Sequence, residues 1–374
     1  MPTYFFYLGR EPQLSTAEIE AVFSAWGITD TINQQTAERL IVETERPLDV
    51  VALMDRLGGT IKIAEQITLS EYPPPRSNII SHLTQAQPAG KIDFAVNDRR
   101  LALNIKKELK AIGRGARFIT IKNTATILFN RLVEKQGDLT VVGNKIFVTR
   151  AIQPIAELSK RDYGRPGSDA KSGMLPPKLA KIMINLAQVP LDAVILDPFC
   201  GSGTILMEAA VMGYKNLIGG DISDKAIADT KKNLEWLKKT YDLQLTAYDL
   251  YTHDARSLHH ILKLHSIDAI ITEPYLGKPL TSRESKPYLE QQTKDLATLY
   301  TATFASFAKI LKPNGVIIFI TPAFKHRQEW ITLDNSFRAP GFKAMPLLDG
   351  QLFLRYHRPT QHLARDIRRW LKVS

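Results

Sequence analysis

Asp197-Pro198-Phe199-Cys200-Gly201-Ser202-Gly203-Thr204 decides the fold of this 374-residue chain. The apolar run Ala193-Val194-Ile195-Leu196 ahead of it predicts a buried strand, and the residues from Thr204 to Met212 predict a helix. A strand, a tight glycine turn and a helix N-terminus in succession build a ligand site at the carboxyl edge of a parallel sheet. The glycines remove Cβ atoms so that the backbone can approach a ligand, and the first N–H groups of the helix face it.

The details of the turn select the ligand. A dinucleotide fingerprint requires a third glycine three residues after Gly203, where this chain has Leu206, and no Gly-Lys-Ser/Thr is present for a triphosphate. Asp197 ends the strand instead, where it would repel a pyrophosphate. A carboxylate suits a cation, such as the amino group and sulfonium of S-adenosylmethionine. The next apolar run, Leu217-Ile218-Gly219-Gly220, ends on Asp221, which suits a pair of ribose hydroxyls. This spacing predicts a methyltransferase rather than a dehydrogenase.

A third apolar run, Ile267–Thr272, ends in Glu273-Pro274-Tyr275-Leu276-Gly277. In a doubly wound sheet that end abuts Asp197. Methylating an aromatic exocyclic amine requires localising a lone pair that is delocalised into the base. A carboxylate and a backbone carbonyl accepting from the NH₂ do so, and an aromatic ring holds the base in line. Glu273, the Pro274 carbonyl and Tyr275 are the expected catalytic set. Cys200 is the only cysteine. It lies in the cofactor loop rather than on the substrate side, which excludes a C5-pyrimidine mechanism with a thiolate nucleophile. His253, His259, His260 and His265 show no metal-ligand spacing, so no metal is expected.

Composition frames this reading. A hydrophobic content of 44% and a charged content of 23% are globular values, and no apolar run approaches the ~20 residues of a membrane span. The segment Met1–Tyr7 lacks the basic leader of a signal peptide, and a single cysteine fits a reducing cytoplasm. The net charge of +11 is uneven: residues 1–75 carry −6, residues 76–170 carry +9, and the remainder +8. Such asymmetry suggests a localised polyanion-binding surface.

Along the chain, residues 1–71 predict the order strand-helix-strand-strand-helix-strand of a ferredoxin-like subdomain. Ser15-Thr16-Ala17-Glu18 is read as a capping box opening its first helix. Tyr72-Pro73-Pro74-Pro75-Arg76 reads as a stiff linker. Residues 76–155 predict a small basic α/β module with strands at 92–96 and 118–121, helices near 103–112 and 124–134, and a hairpin turning at Gly143-Asn144. Lys106, Lys107, Lys110, Arg114, Arg117 and Lys122 are its candidate RNA-binding residues. Residues 172–374 predict a doubly wound α/β domain. Its expected strands are 193–197, 216–221, 244–248, 267–272, 315–320 and 351–356, with helices near 177–187, 204–213, 224–240, 257–264 and 292–311. Arg365-Asp366-Ile367-Arg368-Arg369-Trp370 reads as a charged helical tail.

These segments together resemble the THUMP-domain methyltransferases, in particular the tRNA guanosine N2-methyltransferases that act at tRNA position 10. The resemblance is carried by the Asp197 loop, by Arg161-Asp162-Tyr163-Gly164-Arg165-Pro166 and by Ser172-Gly173-Met174-Leu175-Pro176-Pro177-Lys178-Leu179-Ala180. It implies an α/β protein with a C-terminal Rossmann-like methyltransferase domain behind N-terminal ferredoxin-like and THUMP α+β modules, the THUMP domain gripping RNA. It further implies that Pro176, Asp197, Phe199, Gly201, Gly203, Asp221 and Asp254 line S-adenosylmethionine. The partner is then RNA, chiefly tRNA, with no membrane and no metal, in the cytoplasm, and the oligomeric state is left open, a monomer included. The chain departs from the family at one place: Asp-Pro-Pro-Tyr is replaced by Glu273-Pro274-Tyr275-Leu276. That departure keeps two alternatives in play, a ribosomal RNA guanine N2-methyltransferase and a non-catalytic tRNA-binding protein with a degenerate loop. A DNA amino-methyltransferase uses similar chemistry, but the basic module behind a ferredoxin-like segment argues against it.

Overall fold

The computed structural model describes all residues except 68–74, 168–173, 244, 246, 282, 334–336 and 374, and omits the side chains of Asn33, Pro75 and Ala247. The expected linker residues Tyr72, Pro73 and Pro74, and Ser172-Gly173 ahead of the catalytic domain, thus lie outside the described residues. Two compact units emerge. The first comprises Met1–Pro12, Gly27–Arg56 and Thr60–Pro154; the second comprises Gln13–Trp26, Leu57–Gly59 and Ile155–Ser374.

The elements up to residue 152 are β1 (Thr3–Leu8), α1 (Pro12–Trp26), β2 (Asp30–Gln35), β3 (Arg39–Thr44), α2 (Val50–Arg56), β4 (Thr60–Gln66), α3 (Pro75–Ala86), β5 (Ile92–Val96), α4 (Arg99–Ala111), β6 (Ala116–Phe118), α5 (Thr124–Phe129), β7 (Asp138–Val142) and β8 (Lys145–Ile152). One eight-stranded sheet of order β2-β3-β1-β4-β8-β7-β5-β6 runs through the first unit. Its β2-β3-β1-β4 half is antiparallel and has the expected split βαβ order. The sheet continues from β4 into β8 through antiparallel pairing, Lys62 facing Ile152. A boundary at residues 71–76 therefore crosses a continuous sheet.

Two expectations for this stretch are corrected. Ser15 and Glu18 do not form a capping box: α1 begins at Pro12, whose missing N–H costs nothing at a helix start, so both residues are interior and buried. The Glu18 carboxylate instead accepts from the N–H groups of Gly58 and Gly59 (2.8 and 2.7 Å) and from Asn185 (2.7 Å). Leu14, Ala17 and Ala21 of α1 join the core of the second unit. α3 was not predicted at all, because its apolar positions are sparse.

The second unit continues with α6 (Ile155–Tyr163), α7 (Pro177–Ala187), β9 (Val194–Asp197), α8 (Thr204–Val211), β10 (Asn216–Asp221), α9 (Asp224–Tyr241), β11 (Ala247–Thr252), a 3₁₀ turn at Ala255–His260, β12 (Ile267–Thr272), α10 (Lys286–Ile310), β13 (Leu311–His326), β14 (Glu329–Ile331), β15 (Phe342–Met345), β16 (Leu354–Tyr356) and β17 (Leu363–Lys372). Its sheet runs β11-β10-β9-β12-β13-β17-β15, with β14 on β13 and β16 on β17. The first five strands are parallel, and β17 returns antiparallel to β13. Alternation sorts the strand residues between two cores: Ile195, Ala269, Ile271 and Ile318 face α7 and α8, while Leu196, Ile270, Ile317 and Phe319 pack on the α10 side. Because both faces are covered, these strands read as unbroken apolar runs and were predictable.

The C-terminal segment was not. It forms a strand rather than a helical tail, paired from Val316↔Leu371 to Phe324↔Leu363. Trp370 anchors it, edge-on to Phe304 of α10 at 5.2 Å, and two of its charges, Arg365 and Asp366, are matched by ion pairs. Asp366, fully buried, takes a bidentate contact from Arg355 at 2.6 and 2.7 Å. Smaller corrections follow: β11 lies at 247–252 rather than 244–248, with 244 and 246 outside the described residues. The expected 257–264 helix is a short 3₁₀ turn, and the expected 351–356 strand shrinks to β16.

Candidate active site

Four neighbouring parallel strands deliver carboxylates to one sheet edge. Asp197 ends β9, Asp221 ends β10, Asp254 lies two residues past the end of β11, and Glu273 follows Thr272 at the end of β12. The chain order reverses at β9, with β10 on one side and β12 on the other. Crevices open at such switch points in doubly wound sheets. The sequence reading placed these residues at one edge, and the structure brings them there.

Asp197 is the most constrained of them. It is 2% exposed, accepts from the Thr272 hydroxyl at 2.6 Å and from the Phe199 N–H at 3.3 Å, and burial raises its carboxyl to about 7. The hydrogen bonds oppose this rise, and the charges of Asp221 and Glu273 reinforce it. The edge thus holds an excess of negative charge that a cation would relieve. Asp221 accepts from the N–H groups of Gly201 (3.0 Å) and Ser223 (2.9 Å), which ties the end of β10 to the glycine turn.

The turn is braced from behind by α9. The Thr230 hydroxyl donates to the Gly201 carbonyl (2.8 Å), and the Asn233 amide donates to Ser202 (2.8 Å) and Gly167 (2.7 Å). Gly203 has φ +82°, and a Cβ there would sit 2.9 Å from Thr230, so only glycine fits. Gly201 has φ +54°, but a Cβ there would meet nothing within 4 Å. That side of the loop is open, as a cradle for a ligand requires. Phe199 is half-buried beside the α10-side core. Cys200 is buried, and desolvation with the nearby Asp197 charge raises its thiol well above the ordinary value. A neutral thiol agrees with the exclusion of a thiolate nucleophile.

The α6 segment closes the turn's other flank. Arg161 makes a buried bidentate pair with Glu208 of α8 (2.6 and 3.0 Å), and Arg165 donates to the Thr204 hydroxyl (2.6 Å) and to the Met174 sulfur (2.8 Å). Met174 lies two residues ahead of Pro176, which caps α7. The motif segments that carried the resemblance therefore meet at the start of α8. Asp254 caps the 3₁₀ turn and is occupied by Arg256, which holds its carboxyl below the ordinary range.

At β12 the structure adds a residue that the sequence reading had misplaced. Arg365 of β17 donates to the Glu273 carboxylate at 2.5 Å, with both side chains largely buried, 9% and 13% exposed. Pro274 is buried, the Tyr275 carbonyl accepts from the Tyr300 hydroxyl at 2.7 Å, and Tyr275 itself is 53% exposed. The carboxylate is thus fixed in direction and the neighbouring ring faces outward. Thr272, Thr230 and Asn233 were also missed, and only the adjacency of Thr272 to Glu273 offered a sequence signal.

In the first unit, Lys106, Lys107, Lys110 and Lys122 are exposed, as a nucleic-acid face requires. Two of the six candidates have internal duties. Arg117 pairs bidentately with Asp93 (2.8 and 3.0 Å), and Arg114 donates to the Gln87 carbonyl (2.6 Å). Among the described residues no group of three or more side chains is placed to hold a metal, and no helix is long and apolar enough to cross a membrane.

Comparison with known proteins joins this geometry to a family. Residues 167–345 match the UPF0020 family, described as the RMKL-like methyltransferase domain. The chain is 34% identical over 286 residues to the tRNA (guanine(10)-N2)-dimethyltransferase of Methanothermobacter thermautotrophicus, covering 72% of this chain and 76% of that protein. It is 31% identical over 232 residues to the protein of the same name from Methanocaldococcus jannaschii, covering 59% and 57%. The crystal structure of TrmN from Thermus thermophilus shares the fold, with a TM-score of 0.56 at 17% identity over 99% of this chain and 100% of that one.

Proposed function

Because this chain belongs to the family of the tRNA (guanine(10)-N2)-dimethyltransferases, we propose that it methylates the N2 amine of guanosine 10 in tRNA. It is an S-adenosylmethionine-dependent RNA guanine-N2 methyltransferase. The observation that carries the site assignment is the meeting of Asp197, Asp221 and Glu273 at adjacent strand ends beside an open glycine turn.

The donor set fits the cofactor. Asp197 would face the cationic methionine portion, Asp221 would accept from the ribose hydroxyls, and Asp254, which also carries Arg256, would accept from the adenine amine. Gly201 and Gly203 let the backbone approach, with Phe199 and Pro176 as apolar walls. Bound there, S-adenosylmethionine supplies the methyl group. Glu273 and the Pro274 carbonyl accept hydrogen bonds from the guanine NH₂, drawing the nitrogen lone pair out of the base. Arg365 fixes the Glu273 carboxylate so that no reorganisation is needed when the base arrives, and the exposed Tyr275 ring supports the base. The extra methylene of Glu273, relative to the family's aspartate, is accommodated because Arg365 seats the carboxylate.

Residues 1–71 serve as the ferredoxin-like subdomain and residues 76–155 as the THUMP domain, which grips tRNA through Lys106, Lys107, Lys110 and Lys122, with Arg114 and Arg117 held by Gln87 and Asp93 beneath that face. Residues 172–374 form the catalytic domain, and the enzyme works in the cytoplasm. Methyl transfer from labelled cofactor to bulk tRNA, followed by nucleoside analysis, tests the reading. N2-methylguanosine or its dimethyl form is the expected product. Incorporation into ribosomal RNA alone, or cofactor binding with no incorporation, would overturn it.

A further inference from the structure

Among the described residues, no backbone–backbone hydrogen bond involves Pro274–Leu280, so the acceptor loop after β12 has no ladder of its own. Side chains of α10 supply what is missing. Tyr300, wholly buried, donates its hydroxyl to the Tyr275 carbonyl at 2.7 Å, and the Gln292 Oε1 accepts from the Lys278 N–H at 2.8 Å. With Arg365 on Glu273, the segment is fastened at three points. The Pro274 carbonyl lies between the first two, and no partner for it is found among the described residues. It is held by its neighbours and left open to accept.

Packing alone accounts for neither polar group. Tyr300 sits edge-on to Phe319 at 5.0 Å and to Phe337 at 6.1 Å, contacts that a phenylalanine would make equally well. Gln292 is 7% exposed, and its Nε2 has no partner among the described residues. An apolar side chain one turn from Leu289 and Leu296 would avoid the penalty of that bare donor. What the amide contributes is its Oε1, and the loop is shaped to meet it. Gly277 has φ +101°, and a Cβ there would lie 2.6 Å from Gln292 Oε1 and 3.4 Å from the Phe324 ring. In-line transfer demands such a clamp, because misplacing a reacting group by about 1 Å costs roughly 100-fold in rate.

We propose that Tyr300 and Gln292 are positioning residues for methyl transfer, holding the main chain from Pro274 to Lys278 so that the Pro274 carbonyl meets the target amine together with Glu273. This rests on the reading of the Glu273 loop as the acceptor of that amine.

The test uses the full chain, bulk tRNA and the variants Tyr300→Phe, Gln292→Met and Gly277→Ala. Phe307→Leu, two turns beyond Tyr300 on α10 and equally buried, is the packing control. Tyr300→Phe and Gln292→Met each remove one fastening and keep the volume. Each should lower kcat about 10-fold or more while the tRNA KM and the cofactor Kd stay within about threefold, the split expected of geometry that matters only in the transition state. Gly277→Ala should give the same split from the loop side. Phe307→Leu should lower the Tm and leave kcat within about twofold. Hydrogen exchange of the peptide spanning the loop should be faster in Gln292→Met, where the Lys278 N–H has lost its acceptor, and unchanged in Phe307→Leu. A wild-type kcat in both Tyr300→Phe and Gln292→Met overturns the proposal, as does an equal loss of cofactor binding or loop exchange at the wild-type rate. If the wild-type protein methylates no tRNA, the proposed function fails, and loop exchange decides the clamp on its own.

Discussion

Lowering the pH from 8 to 5 should weaken S-adenosylmethionine binding about 100-fold. The cofactor carries positive charge at its sulfonium and amino group, so it selects the ionised form of Asp197. In the ligand-free protein burial holds that carboxyl at about 7. Roughly one molecule in a hundred is then ionised at pH 5, and about one in ten at pH 6. The sign for stability is the reverse. A carboxyl raised from 3.8 to about 7 favours the folded state as the neutral acid. That contribution is complete below the ordinary carboxylate range and is lost as pH rises through 7. The full difference is worth ~4 kcal/mol. Asp197→Asn, which keeps an acceptor for Thr272 but carries no charge, should therefore raise the ligand-free Tm at pH 8 while abolishing cofactor binding. Calorimetric titration with cofactor at pH 5, 6, 7 and 8, paired with melts of both proteins, reads both effects. A flat Kd across that range, or cofactor binding by Asp197→Asn at wild-type strength, would refute the assignment of Asp197 to the cationic ligand.

Glu273→Gln should lower kcat by about 100-fold or more while the cofactor Kd stays within threefold, as for an interaction made with the reacting amine; single-turnover kinetics and titration separate the two. Gly203→Ala forces a Cβ into Thr230 at positive φ, so the melt should show a loss of about 1–3 kcal/mol and the cofactor Kd should rise. Replacing Lys106, Lys107 and Lys110 together by Gln should weaken tRNA binding across sequences and reduce the salt slope by roughly 3, measured by anisotropy at several salt concentrations.

The cofactor half of the site was legible because its signals are local. Each strand is an apolar run closed by a carboxylate, and the Gly201–Gly203 turn declares itself within eight residues. The acceptor half was not, because its partners are distant. Arg365 reaches Glu273 across 92 residues of sequence and Asp366 meets Arg355 across 11. A strand that buries Arg365 and Asp366 through such pairings shows no apolar alternation, so β17 resembles a solvated helix in the sequence. Glu18 misled in the same way. Its spacing from Ser15 fits a local cap, but its hydrogen bonds go to Gly58, Gly59 and Asn185. Local periodicity reports burial by apolar contact and is silent about burial by ion pairing.

The position of Arg365 also sets an order of assembly. On the ribosome, Glu273 emerges 92 residues ahead of the arginine that seats it, and after the glycine turn and its two aspartates. A nascent chain therefore carries all the cofactor-side carboxylates before the arginine that seats the acceptor carboxylate has been made. The Glu273–Arg365 pair can close only once β17 has been made and has paired with β13.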